Sequence, residues 1–324
     1  MADYRVTLLD ADDYDKWNVF VDESPQGCIF NKTWYLEAAG AHFRILAAHD
    51  VTGDIVGGIV LPFDVDGKIA MMPAFTQTLG VLLAPFPTGK YVHRLSRESD
   101  ITVALVNNIP DCKYFDCNFH YNFTNWLPFH WQGYHQTTRY TYVLEYAGGI
   151  EAVKKGMSQT LRNTIRKAEK SGFTARTDLN PEDGFALVRS TLEQRSPNSA
   201  LPLERYVKLN DALQEHRAAT LFGAFDEDGA LQAVSYIVHD PRAAYYLLAG
   251  RNVEEEHSPA GAFVLWEAIK YFADKAARFD FEGSMIQGVE RFFRSFGGRQ
   301  MPYFNISKTT GKFRRLVENF RKSL

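Results

Sequence analysis

Residues 243–307 switch between strand and helix signals so often, and at such short intervals, that only a packed α/β unit accommodates them. Residues 243–249 form a short apolar run rich in tyrosine, and Gly250 ends it, which is the pattern of a buried strand. Ser258 then offers an N-cap oxygen and Pro259 a pre-set φ for a first helical turn. Over residues 262–276 the apolar positions Phe263, Trp266, Ile269, Tyr271, Phe272 and Ala276 fall near helical spacing and make one wide face. Residues 279–281 read as a second strand. Glu282-Gly283-Ser284 follows at its C-terminal end, where open α/β sheets present ligands. A helix over 289–296 comes next, and Gly297-Gly298 caps it.

A strand that feeds a helix opening Ser-Pro-Ala-Gly-Ala makes a natural anion site. Unpaired N–H groups and the positive end of the helix dipole face the ligand, and the small residues let it approach. The plainer alternative is an ordinary capped helix.

The order of pieces around that helix carries a resemblance. The segment SQTLRNTIRKAEKSGF at 158–173, the helix start SPAGAFVLWEAI and the block FDFEGS…GVERFFRSFGG are similar to the GNAT acyltransferase superfamily, and more closely to its two-domain FemAB-like branch. The likeness covers essentially the whole chain, the first half in outline. It implies an α/β protein of two tandem GNAT-like mixed-sheet domains joined by an amphipathic helix. The expected boundaries are 1–145 for a degenerate first domain serving as substrate wall and scaffold, and 146–324 for the second, with the joining helix at 150–171 and a basic C-terminal helix.

Length and composition agree with two domains. Single cores stop growing near roughly 250–300 residues, and this chain has 324, with 45% hydrophobic and 14% aromatic residues to bury. A net charge of −3 argues against a protein devoted wholly to nucleic acid but leaves room for a local basic patch. The longest apolar runs fall far short of the roughly 20 residues of a membrane span, and the acidic N-terminus lacks the pattern of a secretory signal. A cytoplasmic location is the expectation. Cys112, Cys117 and His120 follow none of the usual zinc spacings, so no metal is expected.

The chain also repeats itself. Phe115, Asp116, Phe129 and Gly133 recur, in the same order and at one constant offset, as Phe279, Asp280, Phe293 and Gly297, and Ser24-Pro25 is echoed at Ser196-Pro197. Self-similarity on this scale points to duplicated domains. Between the halves, residues 150–171 carry Ile150, Val153, Met157, Leu161, Ile165 and Ala168 at steps of three and four, while the other faces carry Lys154, Lys155, Arg162, Arg166, Lys167 and Lys170. Those cations suit either a solvated face or a phosphate-binding one.

The copies differ where chemistry would sit, since the second carries Glu282-Gly283-Ser284 and the Ser-Pro-Ala-Gly helix start. The acyl donor is therefore expected in the second domain, at Arg251, Ser258, Ala260, Gly261 and Ala262. Glu282 is the expected general base, with Ser284 and Tyr303 as hydrogen-bond donors to the reacting groups. Arg195, Tyr246 and Lys308 are the expected substrate contacts. The usual Gln/Arg-x-x-Gly-x-Gly/Ala phosphate loop is absent, and Glu254-Glu255-Glu256 stands between Arg251 and the helix start. Three readings follow. The first is acyl transfer from acyl-CoA to a small-molecule amine. The second is aminoacyl-tRNA-dependent transfer to a cell-wall precursor, with tRNA as partner. The third is a non-catalytic binding module.

Overall fold

The strands Ile55–Phe63 and Leu231–His239 are mostly apolar and buried along nearly their whole length, and Gly53 and Gly229, both at positive φ, turn the chain into them. The computed structural model describes residues 4–86, 89–195, 202–255 and 258–310, the side chain of Arg195 excepted. In chain order the first half runs β1 (Arg5–Leu8), α1 (Tyr14–Glu23), α2 (Thr33–Ala38), β2 (His42–His49), β3 (Ile55–Phe63), β4 (Ile69–Met71), β5 (Gly80–Leu83), α3 (Tyr91–Asn107), β6 (Tyr114–Asn118), α4 (Leu127–Trp131) and β7 (His135–Glu145). The second half runs α5 (Gly149–Gly156), α6 (Gln159–Lys170), β8 (Thr174–Arg176), α7 (Pro181–Arg195), α8 (Leu203–Glu215), β9 (Ala219–Phe225), β10 (Leu231–His239), β11 (Ala243–Arg251), α9 (Ala260–Phe272), β12 (Arg278–Asp280), α10 (Gln287–Ser295) and β13 (Arg299–Thr309).

The chain gathers into two compact units, one of residues up to 139 together with those from 302, the other of residues 140–301. The crossings fall inside β7 and β13. These strands begin at 135 and 299 and end at 145 and 309, which is the offset that relates Phe115 to Phe279.

In the first unit β1, β2 and β3 form an antiparallel ladder, β3 also pairs β4 and β5, β4 runs parallel to β6, and β6 pairs antiparallel with β13. Trp17, Phe30 and Tyr35 are buried beneath it, and the Trp17 indole N–H donates to the Asn31 carbonyl at 2.9 Å. Between β4 and β5 the chain leaves the ladder, and Leu79 returns to bridge Phe119 in parallel.

In the second unit β8, β9, β10 and β11 are antiparallel neighbours, and β12 lies parallel to β11 and antiparallel to β7. Successive residues of β10 face opposite ways. Ile237 joins the core that α5, α6 and α9 build with Leu161, Ile165, Phe263 and Trp266. Tyr236 turns to the other face, against the stacked rings of Phe185 on α7 and Tyr206 on α8.

The expected single helix at 150–171 is two helices. Met157 adopts an extended conformation after Gly156, and Ser158 restarts the helix by accepting the Leu161 N–H at 3.2 Å. Arg162 donates to the Met157 carbonyl at 2.7 Å and so satisfies the end of α5. The apolar stripe survives the break, with Val153, Met157, Leu161, Ile165 and Ala168 all buried. Of the basic C-terminal segment, Lys308 lies in β13, while residues from 311 and the Ser196-Pro197 turn lie outside the described residues. Among the described residues no helix is long and apolar enough to cross a membrane, and no group of His, Cys, Asp and Glu side chains is arranged to hold a metal ion.

Candidate active site

Parallel strands β11 and β12 share three register positions, Ala243 with Arg278, Ala244 with Phe279 and Tyr245 with Asp280. Beyond them β12 ends, while β11 runs on to Arg251. Leu247 is an extra residue in β11, since Tyr246 pairs with Ile237 and Leu248 with Tyr236. Such a bulge bends the strand and increases its twist. Where β11 continues alone, a cavity of about 780 Å³ is lined by Tyr246, Arg251, Ser258, Ala260, Gly261 and Ala262, with Val289, Phe292 and Phe293 of α10 as an apolar wall. The structure therefore brings the five sequence-predicted donor residues, and Tyr246 with them, to one cavity.

The helix start is shaped for close approach. The Ser258 hydroxyl accepts the Ala260 N–H at 3.3 Å. The N–H groups of Gly261 and Ala262 lie in the first turn, where an α-helix supplies no internal acceptor. A Cβ on Gly261 would meet nothing within 4 Å, so a larger side chain there would enter open space at the cavity. Glu254 and Glu255 are exposed.

Thr191, which the sequence did not single out, also lines the cavity. Its hydroxyl accepts the Arg251 N–H at 2.9 Å and lies 3.3 Å from the Arg251 carbonyl, which fixes the end of β11 against α7. Sixty residues separate the two, and no local motif joins them.

Glu282 follows β12 and is buried at 7% exposure, in a left-handed conformation at φ 57° that few residues other than glycine adopt. Burial first, and the neighbouring Asp280 second, push its carboxyl well above the usual glutamate range. Asp280 is pushed up to about 6, chiefly by burial, against hydrogen bonds from Thr141 and from the Glu282 N–H. The Thr141 hydroxyl donates to Asp280 Oδ1 at 2.5 Å, and the Glu282 N–H donates to the same oxygen at 2.8 Å. Gly283 lies against the backbone of β7, where a Cβ would come within 2.0 Å of the Tyr140 carbonyl oxygen. Glu282 and Ser284 are not among the described residues lining the cavity. Ser284 holds the turn into α10, its hydroxyl oxygen accepting the Ile286 N–H at 3.1 Å.

Tyr303 and Lys308 belong to the first unit. The Tyr303 hydroxyl accepts from the Gln77 amide at 3.1 Å, and the Lys308 ammonium sits 4.7 Å from the centre of the Tyr134 ring. Arg195 ends α7, and its side chain lies outside the described residues.

Residues 155–294 match a family model described as the acetyltransferase (GNAT) domain. Among solved structures the chain is similar to that of FemX, at 12% identity and a TM-score of 0.66, covering 93% of this chain and 96% of that one. It is also similar to a tandem GNAT protein from the clavulanic acid biosynthesis pathway, at 12% identity and a TM-score of 0.54 over 95% of this chain and 99% of the other. L-PGS from Bacillus licheniformis is similar at 11% identity and a TM-score of 0.52, over 94% and 93%. Comparison with curated protein sequences finds no match. Residues 155–294 thus match a GNAT acetyltransferase domain, and along its length the chain shares the fold of FemX and of the tandem GNAT protein.

Proposed function

We propose that the protein transfers an acyl group from acyl-CoA to a small-molecule amine, with the donor held in the cavity of the second unit. The supporting observation is the stretch of β11 that runs on past the end of β12 into the cavity that the first turn of α9 also lines. A pyrophosphate can take the N–H groups of Gly261 and Ala262, and the space in front of Gly261 accommodates its oxygens. The exposed edge of β11 beyond Tyr245 offers backbone groups to the pantetheine amides, and the wall of Val289, Phe292 and Phe293 accepts its apolar carbons.

In the reaction the amine nitrogen attacks the thioester carbonyl, a C–N bond forms, the C–S bond breaks, and the amine proton ends on the thiol of coenzyme A. Glu282 is our candidate for taking that proton, directly or through one water. Its raised proton affinity and its conformation at φ 57° support the assignment. Ser284 and Tyr303 are candidate donors to the reacting groups. Arg195, Tyr246 and Lys308 are candidate contacts to the acceptor.

Two features favour aminoacyl-tRNA as the donor instead. The usual glycine-rich phosphate loop is absent before α9, and Lys154, Lys155, Arg166 and Lys170 are exposed along α5 and α6. Titration of the full-length protein with acetyl-CoA, free CoA and an aminoacyl-tRNA mixture separates the readings, because a ligand bound only by the folded state raises the thermal midpoint. The CoA reading expects a rise with acetyl-CoA that Gly261→Leu removes. A rise with tRNA alone transfers the site to the second reading, and no rise with any of them leaves the chain a binding module for some other ligand.

A further inference from the structure

The first unit has a cavity of its own, about 390 Å³, in the slot that corresponds to the donor cavity. Strands β3 and β10 are nine residues each. Leu83 pairs with the third residue of β3, Gly57, as Arg251 pairs with the third residue of β10, Ala233. Leu83 and Arg251 each line their own cavity. Asn122 and Asn125 wall the first cavity, and at the offset of the repeat they correspond to Ile286 and Val289, which wall the second.

The helices make the difference. In the second unit α9 offers its first turn of small residues. In the first unit α3 presents Arg94, Glu98 and Thr102 from successive turns along its length. Side chains replace backbone N–H groups, so this cavity lacks the cradle that suits a pyrophosphate.

Glu98 decides what fits. Its side chain is 23% exposed, and the guanidinium Nε of Arg94 lies 3.6 Å away, at the long end of ion-pair contact. Burial pushes the Glu98 carboxyl above the usual range against the pull of Arg94. Thr102 and Gln26 are tied into the fold. The Thr102 hydroxyl donates to the Glu98 backbone carbonyl at 2.7 Å, and Gln26 accepts the Leu83 N–H at 3.1 Å while donating to the Asn122 carbonyl at 3.3 Å. Leu83, Pro85, Phe86 and Phe123 supply apolar walls. A half-desolvated carboxylate with a loose partner gains from an added cation, and the walls gain from a carbon skeleton.

We infer that this cavity is a second ligand site, which binds a compact organic amine with its ammonium on Glu98 and its apolar part against Phe86 and Phe123. A simple amine uses Glu98 alone, whereas an amino acid also sets its carboxylate on Arg94. The site stands independently of the acyl-donor reading.

The test is calorimetric titration of the full-length protein with phenethylamine, L-phenylalanine and phenylacetate. Phenethylamine is expected to bind, phenylacetate is not, and Glu98→Gln should weaken the amine at least about tenfold, the loss of one charged hydrogen bond. Binding of L-phenylalanine that Arg94→Gln removes identifies an amino acid as the ligand class. Binding of phenethylamine alone identifies a simple amine. Thr124→Trp, placed at an exposed position on the rim, should block the cavity and serves if Glu98→Gln folds poorly. Absence of amine binding, or binding that survives both Glu98→Gln and Thr124→Trp, overturns the inference.

Discussion

Phe115 and Phe279 occupy the same place in two strands. Each pairs in parallel with an alanine, Ala70 or Ala244, and antiparallel with a residue of an eleven-residue strand, Lys308 or Leu144. Lys308 and Leu144 are themselves related by the offset of the repeat, so each copy completes the sheet of the other's unit with its last strand. The bonds to the following aspartates repeat as well. Asn305 donates to Asp116 Oδ1 at 2.8 Å, as Thr141 donates to Asp280 Oδ1 at 2.5 Å. At the ends of α4 and α10 the N–H groups of Gly133 and Gly297 donate to the carbonyls of His130 and Arg294, at φ 75° and 84°. A bond made in both copies marks Asp280 as part of the scaffold, and Glu282, which replaces Asn118 of the first copy, as the departure from it.

Glu282→Gln should lower turnover without destabilising the fold, since glutamine keeps the size and a hydrogen-bonding oxygen and removes a charge that burial disfavours. General-base catalysis is worth about 100- to 10,000-fold, so the variant should lose roughly 3–5 kcal/mol of transition-state stabilisation. Steady-state kcat on an identified donor and acceptor, beside the thermal midpoint, checks it. A fall below about tenfold assigns the proton to water or substrate, and a collapse in the midpoint assigns Glu282 to structure.

Asp280→Asn should flatten the pH dependence of stability. The native carboxyl titrates near 6 against an ordinary 3.8, so the folded state binds the proton more tightly. Stability from this group is full below the ordinary value and is lost as pH rises through the folded one, by up to about 3 kcal/mol. Asparagine retains an acceptor for Thr141 and the Glu282 N–H. Its midpoint should match the parent near pH 4 and exceed it at pH 7, and equal midpoints at both pH values refute the shift.

Gly261→Leu should weaken acetyl-CoA at least about tenfold, or 1.4 kcal/mol, while leaving the urea midpoint unchanged. The new side chain enters open space at the cavity and touches nothing within 4 Å at its Cβ. Calorimetric affinity close to that of the parent would place the donor elsewhere.

Gly283→Ala should do the opposite and destabilise the fold by about 2–5 kcal/mol, the combined cost of overpacking and an unfavourable backbone conformation. Its φ is 74°, and its Cβ would overlap the Tyr140 carbonyl oxygen at 2.0 Å. Urea unfolding measures it, and a loss below about 1 kcal/mol means that β7 yields there.

Helices, strands and the duplication were legible in the sequence because their causes are local. Apolar spacing marks α9, Ser258-Pro259 marks its start, and Phe115 and Phe279 at a fixed offset mark equivalent strands. That Arg251, Ser258, Ala260, Gly261 and Ala262 line one cavity was legible for the same reason, since a strand end and a helix start that adjoin in sequence adjoin in space. Only the tertiary structure decided the rest. The stripe over 150–171 reads as one helix because period alone does not register that Ser158 prefers to cap, and that its N–H finds the Ser295 carbonyl at 2.9 Å. Nothing local tells Thr191 that it will grip Arg251, or carries Tyr303 and Lys308 to the first unit. The positive φ of Glu282, and the β7 backbone beside Gly283, are likewise visible only in the folded chain. Strand pairing is chosen by contacts between residues far apart in the chain, and pattern within a window cannot express it.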